Sequence, residues 1–324
     1  MNWIVPMEPV STQSVKTGEE FLHEIKWDGI RGLVYIQDGC MRIFSKHGNE
    51  RTEFYPELRP LVKMLEGNKL VLDGEIVVLD KLGKPNFHNT LVRETVKSKR
   101  NLQYYVNNYP VKYIVFDILM NQDKILTRTE LINRKQILRK VLTPVTQMSE
   151  VIIISEGYAD GKALYESMKK RNMEGIVSKR LSSLYLPGKK HKEWFKTKFI
   201  KRMLCIVGGI TWKDKLPNSL VLGVRTLEHP KLLYMGKVSL GLKSSDVELL
   251  RQYKEDLVQV ECPFETEGVN VPDRTAGSLT WTVPVLTCWV SFLELSNDGR
   301  FRHPKILGFT NLPPEEADGK VLSD

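Results

Sequence analysis

Residues 23–32, HEIKWDGIRG, set a lysine, an Asp-Gly turn and an arginine at fixed spacing beside strand-like sequence: Lys26-x-Asp28-Gly29-x-Arg31. A free lysine, with pKa about 10.4, is charged at neutral pH, and only the neutral amine is a nucleophile. Neighbouring cations disfavour the protonated form. Arg31, Lys179, Lys196 and Lys198 can supply that field around Lys26 and hold a polyphosphate. Lys196 and Lys198 alternate along a strand and therefore share a face. Glu75 and Glu174 are the candidate carboxylates for Mg²⁺ or Mn²⁺, since a hard cation takes one or two protein oxygens and completes its shell with substrate phosphates. Phe116, beside Asp117 in an apolar run, offers a flat ring that can lie against a purine.

Each feature also has a plainer explanation. The Lys-x-Asp-Gly core arises by accident in roughly one chain in ten of this length. A strand ending in an Asp-Gly turn, a salt-bridged surface glutamate, a core phenylalanine and an edge strand with solvated lysines would look the same singly. The ordered series carries the weight: Lys26, then Asp73-Gly74-Glu75, Phe116-Asp117, Glu174 to Lys179, and Lys196-Thr197-Lys198.

Around these residues, 324 positions suggest two domains, and 41% hydrophobic with 27% charged residues is ordinary for a globular protein. No run of about 18 apolar residues and no basic-then-apolar start occurs, so a cytoplasmic, nucleoid-associated protein with no membrane contact is expected. Cys40, Cys205, Cys262 and Cys288 form neither a CxxC pair nor a dense framework, and are expected to be reduced core residues. The net charge of +9 favours a polyanionic partner.

Residues 1–20 are expected to be an extended lead-in, and LVYIQ and MRIFS, flanking Asp38-Gly39, a hairpin. The segment 50–67 shows a helical period at Leu58, Leu61, Val62 and Leu65, and KLVLDGEIVVLD reads as a strand pair. Residues 93–108 read as a basic loop or short helix, and 129–142 as an amphipathic helix. VIIIS, EGIVSKR and WFKTKF are strands, with Asp160 capping a helix between the first two. The expectation is an α+β domain of antiparallel sheets with flanking helices over 1–200. Short strands separated by glycine and polar turns follow, with one helix at 244–257, suggesting an OB-fold β-barrel over 201–324 and a frayed tail.

The ordered set resembles the nucleotidyltransferase motifs of ATP-dependent DNA ligases. EGIVSKR, followed by YLPGKKHKEWFKTK, is similar to the ligase domains of bacterial end-joining ligases, and the likeness continues through IVGGIT, LVLGV, YMGKVSLGL and FRHPKILGF. The resemblance implies an adenylation domain followed by an OB-fold, with ATP and Mg²⁺ as cofactors. Lys26 is then the catalytic residue that carries AMP. Glu24, Ile25, Arg31, Lys46, Glu75, Phe116, Lys179, Lys196 and Lys198 bind the nucleotide, with Phe116 on adenine, and Glu75 and Glu174 hold metal. Arg302 and Lys305 fall on DNA or pyrophosphate. The implied partner is nicked or broken double-stranded DNA, with a Ku-like end-binding protein as a further candidate and a monomer as the default state.

Two departures stand out. The family's Ser-Arg-x-Gly is Ser45-Lys46-His47-Gly48 here, which keeps a charge and loses the bidentate fork. Arg302-His303-Pro304 is not followed by the family's arginine and Asp-Lys pair, and Asp318-Gly319-Lys320 is at most a displaced remnant, which bears on the efficiency of self-adenylylation. RNA ligases and capping enzymes share the lysine motif, but the barrel patterns argue against both. A nucleic-acid-binding protein that has lost ligation is the alternative from another class.

Overall fold

Asp38 and Gly39 both have positive φ, 51° and 72°, the conformation a two-residue hairpin needs, and the expected hairpin forms around them. The computed structural model describes residues 3–226, 228–265, 271, 278–296 and 298–323. The chain divides into two units, Met1–Lys198 and Phe199–Asp324.

The first unit contains strands β1 (Glu8–Ser11), β2 (Phe21–Ile25), β3 (Ile30–Gln37), β4 (Cys40–Ser45), β5 (Leu70–Val78), β6 (Val111–Asn121), β7 (Lys124–Ile125), β8 (Ile152–Ile154), β9 (Gly175–Arg180) and β10 (Lys190–Lys198). Its helices are α1 (Pro60–Met64), α2 (Phe87–Glu94), α3 (Leu102–Asn108), α4 (Leu131–Met148) and α5 (Gly161–Lys170). One sheet runs β4-β3-β5-β6-β7 with β8 parallel to β6; the other runs β1-β10-β9-β2, antiparallel except for β1 beside β10. The period of two is visible in β3. Val34 and Ile36 enter the core packed on Leu138 and Leu142 of α4, while Leu33 and Tyr35 join Met7, Tyr185 and Trp194 on the opposite side. Burial on both faces explains the near-continuous apolar strands.

Several expectations are corrected. KLVLDGEIVVLD is not a strand pair: β5 runs straight through Asp73-Gly74-Glu75. Gly74 breaks nothing, because a Cβ there would lie 2.5 Å from both the Ile114 carbonyl oxygen and the Tyr113 ring, so the glycine admits close packing against β6. Residues 3–20 are more than a lead-in, since β1 pairs with β10 and Met7 is fully buried. The helical period at 50–67 gives two 3₁₀ turns and only the five-residue α1, interrupted by Pro56 and Pro60. The sequence reading also missed α2, which Asn86 caps by accepting from the Asn89 N–H at 3.0 Å. Asp160 caps α5 as expected.

The second unit holds β11 (Lys201–Lys213), β12 (Leu216–Val224), β13 (Leu233–Val238), α6 (Ser244–Gln252), α7 (Lys254–Leu257), β14 (Val258–Gln259), β15 (Leu279–Thr282), β16 (Thr287–Phe292), β17 (Glu294–Leu295), β18 (Phe301–Arg302), β19 (Lys305–Thr310) and β20 (Leu322–Ser323). The long β11 organises it. Along one edge it pairs with β12, and along the other first with β16 and then with β15, a change of partner that curls the sheet into an OB-fold. Cys205, Leu222, Val290, Phe292 and Ile306 fill its core. The apolar run WTVPVLTCW is not one strand but the end of β15 and the start of β16, divided at Pro284, which has no N–H to give a ladder. The described tail is not frayed: Ala317 is fully buried, its carbonyl accepts from Arg225, and β20 pairs with β11. Cys40 is exposed on the hairpin rather than in a core.

Candidate active site

The antiparallel register of β2 and β9 sets Glu24 opposite Val177 and Ile25 opposite Ile176, and the Lys26 N–H continues the ladder to the Gly175 carbonyl at 3.0 Å. Gly175 has φ +150°, and a Cβ there would sit 2.1 Å from the Thr197 carbonyl oxygen of β10. Only glycine lets the two strands meet so closely. The residue before it, Glu174, accepts from Lys26 Nζ at 2.5 Å and pairs with Lys198 Nζ at 2.7 Å. Burial pushes the Glu174 carboxyl up, but the two ammonium groups outweigh burial and hold it below its usual value. Gly175→Ala should therefore part β9 from β10 and lower stability by about 2 kcal/mol or more, read as a shift in the urea midpoint.

The other sheet delivers the opposite wall. Arg31 on β3 is the register partner of Glu75 on β5. Its Nε and Nη2 donate to Asp73 Oδ1 and Oδ2 at 2.5 and 2.6 Å, and Tyr185 donates to the same Oδ2 at 2.6 Å. Burial alone would lower the guanidinium pKa; Asp73 more than reverses this, so Arg31 stays charged. The Glu75 side chain makes no hydrogen bond or ion pair among the described residues. Burial pushes its carboxyl up to about 7, with Arg31 and Lys26 opposing and Glu174 and Asp73 adding to the rise. An unpartnered, half-buried carboxyl that feels a second carboxylate is a donor set suited to a hard divalent cation.

Phe116 lies between these walls and carries two cations, the Arg31 guanidinium 4.5 Å and the Lys179 ammonium 4.4 Å from its ring centre. Lys179 in turn donates to Glu24 Oε2 at 2.8 Å, and Lys135 of α4 pairs with Glu24 Oε1. Burial lowers Lys179 to about 8, Glu24 and Asp117 resist, and Lys135 adds to the fall. Glu24, expected at the adenine, thus has both oxygens engaged by lysines. Ile25 is half-buried beside it.

Lys196 makes no ion pair among the described residues. Burial, then Lys198, Lys26 and Lys190, lowers its pKa. Lys46 reaches Glu8 at 2.9 Å. Burial raises the Glu8 carboxyl, but Lys46, then Lys196 and Arg31, hold it below its usual value. Arg302 and Lys305 belong to the second unit: Arg302 pairs with Glu294 at 2.5 Å, and Lys305 is exposed at the start of β19. Asp318 accepts from the Lys320 N–H at 2.9 Å, closing a local turn.

Sequence reasoning gave no role to Asp73, Lys135 or Glu8, which bind Arg31, Glu24 and Lys46, to Tyr185, which donates to Asp73, or to the buried pair of Asp117 and Arg134. His23 is a further buried group, 1% exposed, with Nδ1 2.9 Å from Ser178 Oγ. Burial lowers its pKa despite Asp160, so in the native state it binds protons less readily than when unfolded. Stability should be complete above about pH 6.5 and fall as acid is added below it. His23→Gln should flatten that decline in urea midpoints measured at pH 7.5 and 5.5.

A family model described as "ATP dependent DNA ligase domain" matches residues 6–198, and one described as "ATP dependent DNA ligase C terminal region" matches residues 213–311. The multifunctional non-homologous end joining protein LigD of Mycolicibacterium smegmatis is 29% identical over 310 residues, covering 94% of this chain and 37% of that protein. LigD of Pseudomonas aeruginosa is 28% identical over 324 residues, covering 98% of this chain and 37% of that protein. The chain thus spans a little over a third of the length of these relatives. Among solved structures, the ligase domain of Mycobacterium tuberculosis LigD shares 28% identity at a TM-score of 0.53, with 97% of each chain covered. A mycobacterial DNA ligase D complexed with ATP and MES gives 28%, 0.54 and the same coverage. No described helix is long and apolar enough to cross a membrane. Since the two matches fall on the two units in order and take in most of the sequence, the chain belongs to the ATP-dependent DNA ligase family.

Proposed function

We propose that this chain seals 5′-phosphate/3′-hydroxyl breaks in double-stranded DNA, with Lys26 as the residue that carries AMP. The observation that supports this most is the setting of Lys26: its Nζ is held by Glu174 in a buried-to-half-buried cluster with Arg31, Lys198, Lys196 and the unpartnered Glu75. Nζ attacks the α-phosphorus of ATP, an N–P bond forms, and the bond to pyrophosphate breaks. A 5′-phosphate oxygen of the nick then takes the AMP and frees the amine. Attack of the 3′-hydroxyl on that activated phosphorus closes the strand and releases AMP. Positioning and charge stabilisation by Arg31, Lys196 and Lys198 do most of the work in such a sequence.

Phe116, with Arg31 and Lys179 already on its ring, is the surface for the adenine. Glu24 shapes that end through the lysine pair it holds, with Ile25 beside it. Glu75 and Glu174 would hold Mg²⁺ or Mn²⁺, which neutralises phosphate charge when bound. Lys46 serves as a single-point phosphate contact, and Arg302 and Lys305 of the second unit contact DNA or pyrophosphate. On this reading the protein works as a monomer in the cytoplasm at the nucleoid. Double-strand ends presented by a Ku-like protein are a second substrate, supported by the end-joining names of the relatives.

The deciding experiment supplies nicked DNA, nicked RNA or a DNA–RNA hybrid with ATP or GTP and either metal ion. Sealing of DNA with ATP is expected. Sealing confined to RNA, or driven by GTP, would replace the proposal with an RNA-ligase or capping-type reading; binding to DNA without adenylate or sealing would leave only a binding protein.

A further inference from the structure

Away from Lys26, the C-terminal end of α2, the segment 95–101 and α3 enclose a surface cavity of ≈ 310 Å³, lined by Val92, Val96, Lys97, Ser98, Asn101 and Tyr105. That is the low end of the range for small-molecule sites. Three properties coincide there. First, Tyr105 stacks with Tyr109 at a centroid distance of 6.4 Å and 28° between planes, and Tyr104, 61% exposed, meets Tyr105 edge-on at 5.5 Å. Second, the exposed Asn101 side chain makes no hydrogen bond among the described residues, leaving both its donor and its acceptor for a ligand. Third, the rim is basic. Lys97, Lys99 and Arg100 are exposed, and only Lys99 has an ion-pair partner among the described residues, the exposed Glu53.

We propose that this cavity binds an unpaired nucleotide of the DNA substrate, as found at an overhanging or frayed end. Aromatic rings stack on any base because every base has a π-face, and a side-chain amide pairs with base edges. Cations on the rim meet the flanking phosphates. A duplex fits poorly here, since its base faces are already covered by stacking and only an unpaired base can enter a recess. The commitment to DNA rests on the ligase reading; the stacking site does not.

The test compares wild type, Lys97→Ala/Arg100→Ala and Tyr104→Ala/Tyr105→Ala in fluorescence anisotropy titrations with a labelled single-stranded oligodeoxynucleotide, a blunt duplex and an oligoribonucleotide. Self-adenylylation of Lys26 serves as the folding control, because none of the four substituted residues is part of that site. Single-strand affinity should fall about tenfold in each variant. The salt dependence of the lysine–arginine variant should flatten by about 1.4 in log–log slope, some 0.7 per lost contact. A bromouracil-containing strand should cross-link within residues 97–109. Unchanged affinity with no cross-link there overturns the proposal, as does an equal loss on the blunt duplex. Tighter binding of the ribonucleotide than of DNA overturns the choice of DNA. Absence of adenylate in the wild type would count against the ligase reading alone, because the single-strand titration is independent of it.

Discussion

Lys26→Ala should take up no label from α-labelled ATP after denaturing electrophoresis, whereas the wild type keeps it covalently. The loss should be complete to detection rather than partial, because in the proposed reaction the side chain supplies the atom that bonds to phosphorus. Lys198 Nζ, which shares Glu174 with Lys26, is tied to its Oε1 at 2.7 Å and begins on a different strand. Lys26→Arg should be equally inert, since a guanidinium does not give up its proton in proteins. The same variants should still close a nick supplied already adenylylated, because Arg31, Glu75 and Lys196 remain and the last transfer forms no bond to Lys26. Label retained by Lys26→Ala would show that the adenylate sits elsewhere. Loss of sealing on the pre-adenylylated nick would assign Lys26 a role in the final step too.

Asp117→Ala should be among the most destabilising single changes in the first unit. Arg134 and Asp117 have fully buried side chains and meet through two hydrogen bonds, Nε to Oδ1 at 2.8 Å and Nη2 to Oδ2 at 2.9 Å. Arg134 Nη1 also donates to the Ser183 carbonyl at 3.0 Å. Removing one partner strands a charge without water, which costs about 3–5 kcal/mol. Replacing both, as Asp117→Leu with Arg134→Met, should recover a large part of the loss, because no buried charge is left uncompensated. Urea unfolding followed by tryptophan fluorescence checks both, with Trp194, 1% exposed, as a reporter in the same unit. Single-variant losses near zero would show that water reaches the pair. Burial raises the Asp117 carboxyl, but Arg134 and then Lys179 and Lys135 bring it below its usual value. The pair therefore contributes fully above pH 3.8 and fades as acid titrates Asp117.

That ion pair also shows how far the sequence could be read. On α4 the buried positions are Leu131, Arg134, Lys135, Leu138, Leu142 and Val145, so two cations occupy the apolar stripe of the helix. Charged residues on such a stripe must find buried partners, and this signal was there to be used. The partners, Asp117 and Glu24, are set by tertiary folding and could not be read from spacing. The hairpin at Asp38-Gly39 and the cap at Asp160 were legible because their causes are local. The strand through Gly74 was misread because an Asp-Gly pair usually turns, and only the close packing of Tyr113 shows why this one does not. For the site, residue types and order pointed to Lys26, Glu174 and Lys198 as a group, and the ion pairs bring those three together. What spacing could not supply was the layer behind them: Asp73 and Tyr185 fixing Arg31, and Lys135 holding Glu24.

The pairing of β2 with β9 and of β1 with β10 has a consequence for how the protein is made. Lys26 is made well before the strand that fixes its backbone, which starts at Gly175, and the Met7 N–H finds its acceptor on Tyr185, 178 residues later. During elongation the lysine strand therefore waits as an unpaired edge for most of the first unit, and contacts so distant in sequence make closure slow. A nascent chain halted before Gly175 would carry Lys26 without the β9 ladder, Lys196 or Lys198. On the proposed role of Lys26, competence to react with ATP is in this way tied to completion of the whole first unit, and a truncated product should be silent rather than half-active.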